Sequence, residues 1–215
     1  MIKRYRHAQL LAVLSVLLLA NPFLQGALVV TVVDVVFGLT LISAVIASAN
    51  TRWQLWVGVT LVVLVQGLAW WREYTGHLGI TAASAALALV FFSYVTAIVL
   101  IDVFRSSKVV SADTICGALS AYILIGVAFS FAFALVDVFE PGSFEGLREG
   151  VGKGYQRYLG YSFVTLTTLG YGNVVPLTSR AEAIAVAEAV VGQVYLTVLV
   201  ARLVALNLTS SANKD

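Results

Sequence analysis

The sequence predicts an all-α membrane protein with six transmembrane helices, and with a short re-entrant helix and a glycine-rich loop between the last two. Three observations carry this. First, 60% of the residues are hydrophobic, 11% are charged and the mean hydropathy is +0.94, beyond what a soluble domain tolerates. Second, six apolar stretches approach the roughly 20 residues a membrane helix needs. They run from His7 to Gln25, Ala27 to Ala49, Trp53 to Trp71, Gly79 to Ile101, Thr114 to Val138 and Arg180 to Leu206. Third, the run Thr165 to Asn173, TLTTLGYGN, lies between the last two stretches.

The first stretch follows a basic start at Lys3, Arg4 and Arg6 and ends in Asn21-Pro22, so residues 1–25 read either as a span or as a signal peptide. Either way the orientation of the rest is the same. In the second, Asp34 is an intramembrane carboxyl with two readings, a group coupled to gating or ion access, or a protonated or hydrogen-bonded group inside the bundle. The third has Trp53 and Trp56 at one end and Trp70 and Trp71 at the other, about 27 Å apart at helical rise. That is the spacing of interfacial aromatic belts. The fourth, Gly79 to Ile101, contains no arginine, and steep voltage sensing needs several charges moving through the field. Little intrinsic voltage dependence is expected. Asp102 and Arg105 read as a helix-end pair.

The fifth stretch opens near Asp113 and carries Cys116, the only cysteine, which excludes an intrachain disulfide and suggests a packing role. A polar loop from Phe139 to Lys153 follows, and on this arm Arg148, Lys153 and, just beyond the loop, Arg157 balance Glu140, Glu145 and Glu149. Tyr155 to Thr167 forms the short re-entrant helix. The sixth helix starts at Thr178-Ser179-Arg180-Ala181-Glu182, where Ser179 and Glu182 have the spacing of a capping box. If the segments alternate, Lys3, Arg4, Arg6, Arg52, Arg105 and Lys108 share one side, and the excess of positive charge places both termini in the cytoplasm. Arg202 then snorkels from the cytoplasmic end of the last helix as an anchor.

The chemistry concentrates in Thr168-Leu169-Gly170-Tyr171-Gly172. A dehydrated cation needs a cage of oxygens, and one extended strand supplies them only if successive carbonyls face the same side. Gly170 and Gly172 can take positive φ, so alternating them with Leu169 and Tyr171 permits that arrangement. Thr168 adds a hydroxyl. One strand gives one oxygen per layer, so a closed cage requires several copies of the loop about an axis.

This run resembles the TVGYG filter of tetrameric potassium channels, from which one Val-to-Leu change separates it. The resemblance covers roughly Asp113 to Leu208, and the first half matches only in its number of helices. The closest likeness is to small bacterial six-helix channels without a voltage sensor, carried by Glu188-Ala189-Val190-Val191-Gly192-Gln193, Tyr195 and Ala201-Arg202-Leu203. It implies a four-helix region over 1–111, a pore domain over 112–209 and a short cytoplasmic tail over 210–215, with no ligand-binding cytoplasmic domain. It also implies passive potassium conduction by a homotetramer, that is, with three identical subunits as partners alongside membrane lipids. Neither enzyme chemistry nor nucleic-acid binding is expected, and no cofactor beyond K⁺ ions at Thr168, Leu169, Gly170 and Tyr171.

Counted from Pro176, the likeness puts Gly192 where the inner helix of many relatives bends, and close packing at a small residue is the other reading. It turns Gln193, Leu196, Thr197 and Val200 toward a water-filled cavity, although Gln193 could instead bond a neighbouring helix. Thr167 ends the pore helix, whose C-terminal partial charge favours a cation. Glu188, behind the filter, either braces the pore helix or senses pH, or it simply holds helices together, with Tyr155, Tyr158, Tyr161 and Thr165 as candidate partners.

The family pattern is broken in places. Asn173 follows GYG and Val164 stands on the pore helix, where many relatives have acids. Gly160, Tyr161 and Phe163 replace tryptophans, so tyrosines are expected to brace Tyr171. Three rival functions are a nonselective cation channel, a subunit of a potassium transporter and a nonconducting sensor.

Overall fold

The computed structural model describes residues 6–20, 52–105, 111–147 and 155–212. The second apolar stretch with Asp34, and Lys3, Arg4, Lys108, Arg148, Glu149 and Lys153, lie outside them. The described elements are α1 (Arg6–Ala20), α2 (Arg52–Thr75), α3 (Leu78–Arg105), α4 (Ala112–Phe139), β1 (Phe144–Glu145), α5 (Gln156–Leu166), β2 (Val175–Pro176) and α6 (Ser179–Ala212). Four of the helices, α2, α3, α4 and α6, are long and apolar enough to cross a membrane. Their composition supports an integral membrane protein. Helix α1, at 15 residues, is shorter than a full span.

The spanning helices differ in how much of themselves they bury. Within their most apolar windows 44% of α3 and 56% of α4 is buried, against 11% of α2 and 17% of α6. Among the described span-length helices α3 and α4 are thus the most buried, while α2 and α6 leave most of their apolar side chains exposed. The tryptophans of α2 fit this, since Trp53, Trp56, Trp70 and Trp71 are all exposed.

By its contacts the chain forms two compact units, each built from separated segments. One comprises Met1–Val63, Tyr94–Ile123 and Leu199–Asp215, and the other Leu64–Ser93 and Leu124–Val198. In the first unit a small polar cluster joins helix ends. Asp113 accepts hydrogen bonds from the backbone N–H groups of His7 and Ala8 and so caps the first turn of α1. Asp102, expected beside Arg105, meets the buried His7 ring at 3.0 Å from Nε2. The imidazole can lie there because Gly117 offers no side chain, and a Cβ would press on both His7 and Val103.

Arg202 has partners at the end of α3. Its Nη2 donates to the Phe104 carbonyl at 2.9 Å, and its guanidinium carbon sits 4.6 Å from the centre of the Phe104 ring. A cation is favourable at that place because the carbonyls ending α3 lack intrahelical partners. Cation–π attraction to the ring adds to it.

The second unit holds the glycine-rich loop. An aromatic row, Phe91, Phe92, Phe131 and Tyr155, runs through it with ring centroids 5.3, 5.3 and 4.3 Å apart in turn. A second cluster gathers Phe133, Phe144, Tyr158 and the small Ala134, Ala181 and Ala185. The start of α6 corrects the sequence reading by one residue. Thr178 Oγ1 accepts from the Ala181 N–H and the Thr178 carbonyl from the Glu182 N–H, so Thr178 is the N-cap and Ser179 the first helical residue.

Candidate functional site

The site begins with α5, whose buried residues Tyr158, Ser162 and Leu166 repeat every four positions and form one face. Ser162 Oγ lies 2.6 Å from the Gly126 carbonyl of α4 and 2.5 Å from Glu188 Oε1 of α6. One hydroxyl thus ties three helices together. Glu188 is fully buried, and its Oε2 has no hydrogen-bond partner among the described residues. Its partner is therefore not among the residues expected from the sequence. Tyr155 stacks on Phe131, and the Tyr158 hydroxyl donates to Asp137 Oδ2 at 2.5 Å. Burial first, and then the neighbouring Asp137 carboxylate, push the Tyr158 phenol well above its ordinary range, so it remains a donor.

At its C-terminus α5 closes with a Schellman turn. The Leu169 N–H reaches the Val164 carbonyl at 2.9 Å and the Thr168 N–H reaches the Thr165 carbonyl at 3.0 Å. The residue after the cap must then be left-handed, and Thr168 has φ 56°. Glycine is usual there, and a β-branched residue in that region is strained by about 1–2 kcal/mol. A local bond from Thr168 Oγ1 to the Thr167 carbonyl, 2.7 Å, offsets part of this. Thr167 Oγ1 in turn bonds the Phe163 carbonyl. Val164 thus supports the loop through its backbone.

Positive φ then recurs at every second residue, 63° at Gly170 and 70° at Gly172. Left-handed residues at every second position permit successive peptide planes to turn to the same side, where a β-strand would alternate them. The glycine pair was legible in the sequence, whereas left-handed Thr168 was not. Leu169 and Tyr171 are 57% and 71% exposed within the chain. Two of the residues expected around Tyr171 pack behind the loop. Tyr161 turns to Phe133 and Phe144, with centroids 4.9 and 5.4 Å away, and Phe163 packs on Gly126.

Below the loop, Gln193 Nε2 donates to Thr168 Oγ1 at 3.3 Å, so it bonds the loop of its own chain. Thr197 Oγ1 bonds back to the Gln193 carbonyl. Gln193, Thr197 and Val200 are exposed and Leu196 is half-buried. Gly192 is buried, and a Cβ there would run into the Leu166 carbonyl. Its missing side chain is what allows α6 to approach the end of α5.

Beyond the loop, Asn173 leads into β2, which pairs antiparallel with β1. Sequence reasoning missed this pairing along with Asp137, Phe144 and Ser162. Asp137 Oδ1 accepts from the backbone N–H groups of Gly142 and Ser143, and Glu140 pairs with Arg180. Two signals were present. Phe144 is an aromatic in the middle of a polar loop, and Ser162 is a small polar residue in the Tyr158–Leu166 helical repeat.

Residues 148–208 match the family model described as ion channel. The matched segment contains α5, the glycine-rich loop and nearly all of α6, and it supports an ion-channel function for this part of the chain. No curated protein and no solved structure matches the sequence.

Proposed function

We propose that the chain forms a potassium-selective channel, with four copies arranged so that their Thr168–Gly172 loops surround one axis. The observation that carries the reading is the recurrence of positive φ at Thr168, Gly170 and Gly172 in an exposed TLGYG run. Such a backbone offers carbonyl oxygens at Thr168, Leu169, Gly170 and Tyr171, with the Thr168 hydroxyl beneath them, to replace the hydration shell of K⁺. One chain supplies one oxygen per layer, so the cage closes only between chains. The sparse burial of α6 and the exposure of Leu169 and Tyr171 are consistent with surfaces that other subunits cover.

Ions would pass from a cavity flanked by Gln193, Leu196, Thr197 and Val200 into the filter, with no covalent step. The six-helix topology with cytoplasmic termini belongs to the same proposal, as does the weak voltage dependence expected from an α3 whose only arginine, Arg105, is its final residue. The test is the reversal potential of purified protein in planar bilayers under opposed potassium and sodium gradients. A reversal near the potassium equilibrium value, with the current lost in Gly170→Ala, is the expected result. A reversal near zero would make the pore nonselective, and persistent silence in active reconstitutions would favour a nonconducting role.

A further inference from the structure

The acids that many potassium channels place around the outer filter are replaced here by neutral Asn173 and Val164, yet the chain just beyond the loop is tightly held. The contacts come from residues 143–146. Phe144 pairs with Pro176 and Glu145 with Val175, the Leu177 N–H reaches the Ser143 carbonyl at 2.8 Å, and the Thr178 and Ser143 hydroxyls are 3.2 Å apart. Gly146, at φ 82°, lies so close to Asn173 that a Cβ would occupy the place of the Asn173 carbonyl oxygen. The same short segment is anchored on its other side. Phe144 packs edge-on against Phe133 of α4 and Tyr158 and Tyr161 of α5, with centroids 5.6, 5.5 and 5.4 Å away. Asp137 fixes its start and also accepts the Tyr158 hydroxyl.

From this geometry we infer that residues 143–146 form a clamp that sets the outer end of the filter, with Gly146 as the positioning residue for Asn173. The inference rests on the channel reading above. Force on the filter exit passes through the β1–β2 pair to Phe144 and from there to α5, so the helix that feeds the filter and the strand that leaves it are held by one segment. Only a residue without a side chain can sit against Asn173 in this way. Gly146 does not touch permeating ions. Its effect is on whether the outer carbonyls keep their positions during conduction.

Two glycines of the same loop give an internal control. Gly142, at φ 85°, carries the same left-handed backbone as Gly146, but a Cβ there meets nothing within 4 Å. Alanine therefore brings similar backbone strain at both positions and a collision with the filter exit only at residue 146.

Full-length Gly146→Ala and Gly142→Ala are compared with the wild type by hydrogen exchange of the Asn173, Val174, Val175 and Leu177 amides and by the decay of current in sustained recordings. Gly146→Ala is expected to speed both by about tenfold or more, and Gly142→Ala to leave both near wild type. Equal behaviour of the two variants would overturn the clamp. Hydrogen exchange reads this whether or not the protein conducts, while a wild type without potassium selectivity would sink the channel reading alone.

If Gly146→Ala does not assemble, Glu145→Cys with Val175→Cys, in a Cys116→Ser background, places a reducible disulfide across the strand pair. Oxidation is then expected to slow exchange in Asn173 to Leu177 relative to the reduced sample. Exchange that is the same in both states would overturn the proposal.

Discussion

Ser162 and Leu166 on the back of α5 are fully buried, whereas Leu169 and Tyr171, a few residues further along, are 57% and 71% exposed. Apart from Glu188 Oε2, the back face finds its partners within one chain. Its hydroxyl, carboxyl and phenol find partners in Gly126, Ser162 and Asp137, and its apolar residues find α4 and α6. The loop in front keeps its backbone shape through a Schellman turn and alternating φ, but its side chains find little to pack on. This is the division that the proposed channel requires, with the scaffold built by one chain and the loop surface left for other copies to complete. Substitutions on the two sides should accordingly fail in different ways.

The largest effect is expected in front. Gly170→Ala forces a Cβ onto left-handed backbone at a cost of about 1–2 kcal/mol in each chain, and selective current should vanish while each protomer still folds, with a melting temperature lowered by no more than that cost. Loss of folding instead of current, read by circular dichroism, would break the division. Behind the loop, Glu188→Ala leaves a cavity and removes one of the two partners of Ser162, so a loss of about 2–5 kcal/mol is expected. Glu188→Gln keeps the contact, because the amide can donate to Ser162 Oγ while Ser162 donates to Gly126, and should stay within about 1.5 kcal/mol of wild type. If Gln were as damaging as Ala in thermal unfolding, the carboxyl itself and not its hydrogen bond would be what the site requires.

Gly192→Ala sharpens the comparison at the contact between α6 and α5. The added methyl meets the Leu166 carbonyl, and about 1–3 kcal/mol of destabilisation is expected from overpacking, seen as a lower melting temperature of the assembled protein. A variant that melts like wild type but gates differently would point to bending as the role of this glycine.

Tyr158→Phe removes a hydrogen bond to Asp137, with an expected loss of about 1–3 kcal/mol. Because the phenol is pushed upward in the folded state, the stability it contributes is fully present below about pH 10 and falls only above it. The difference between Tyr158→Phe and wild type should therefore be flat across neutral pH, and a difference that changed between mildly acidic and neutral conditions would contradict it. The smallest effect, about 1 kcal/mol, is expected for Thr178→Ala, which removes the N-cap of α6. Ser179→Ala, at the position the sequence pattern favoured, should cost less.

Apolar length and composition were enough to find the four span-length helices α2, α3, α4 and α6, because apolar length is what a bilayer selects. The ends of α4, α5 and α6 fall within a few residues of the boundaries read from Asp113, Tyr155 and Arg180. The glycines at 170 and 172 were legible for a similar reason, since only glycine enters left-handed backbone at little cost. Left-handed Thr168 was hidden because nothing in its own side chain calls for that conformation. The hydrogen bonds from Leu169 and Thr168 back to Val164 and Thr165 impose it.

By itself the sequence determined what depends on each residue's own chemistry and its near neighbours, namely the apolar helices, the glycine alternation and the ion-channel character of the last third. Only the tertiary structure decided which distant groups complete one another. Ser162 and Glu188 are 26 residues apart, Tyr158 and Asp137 are 21, and Arg202 and Phe104 are 98. Each pair is set by the packing of whole helices. A buried carboxyl must find a donor, but local sequence carries no information about which helix will bring it.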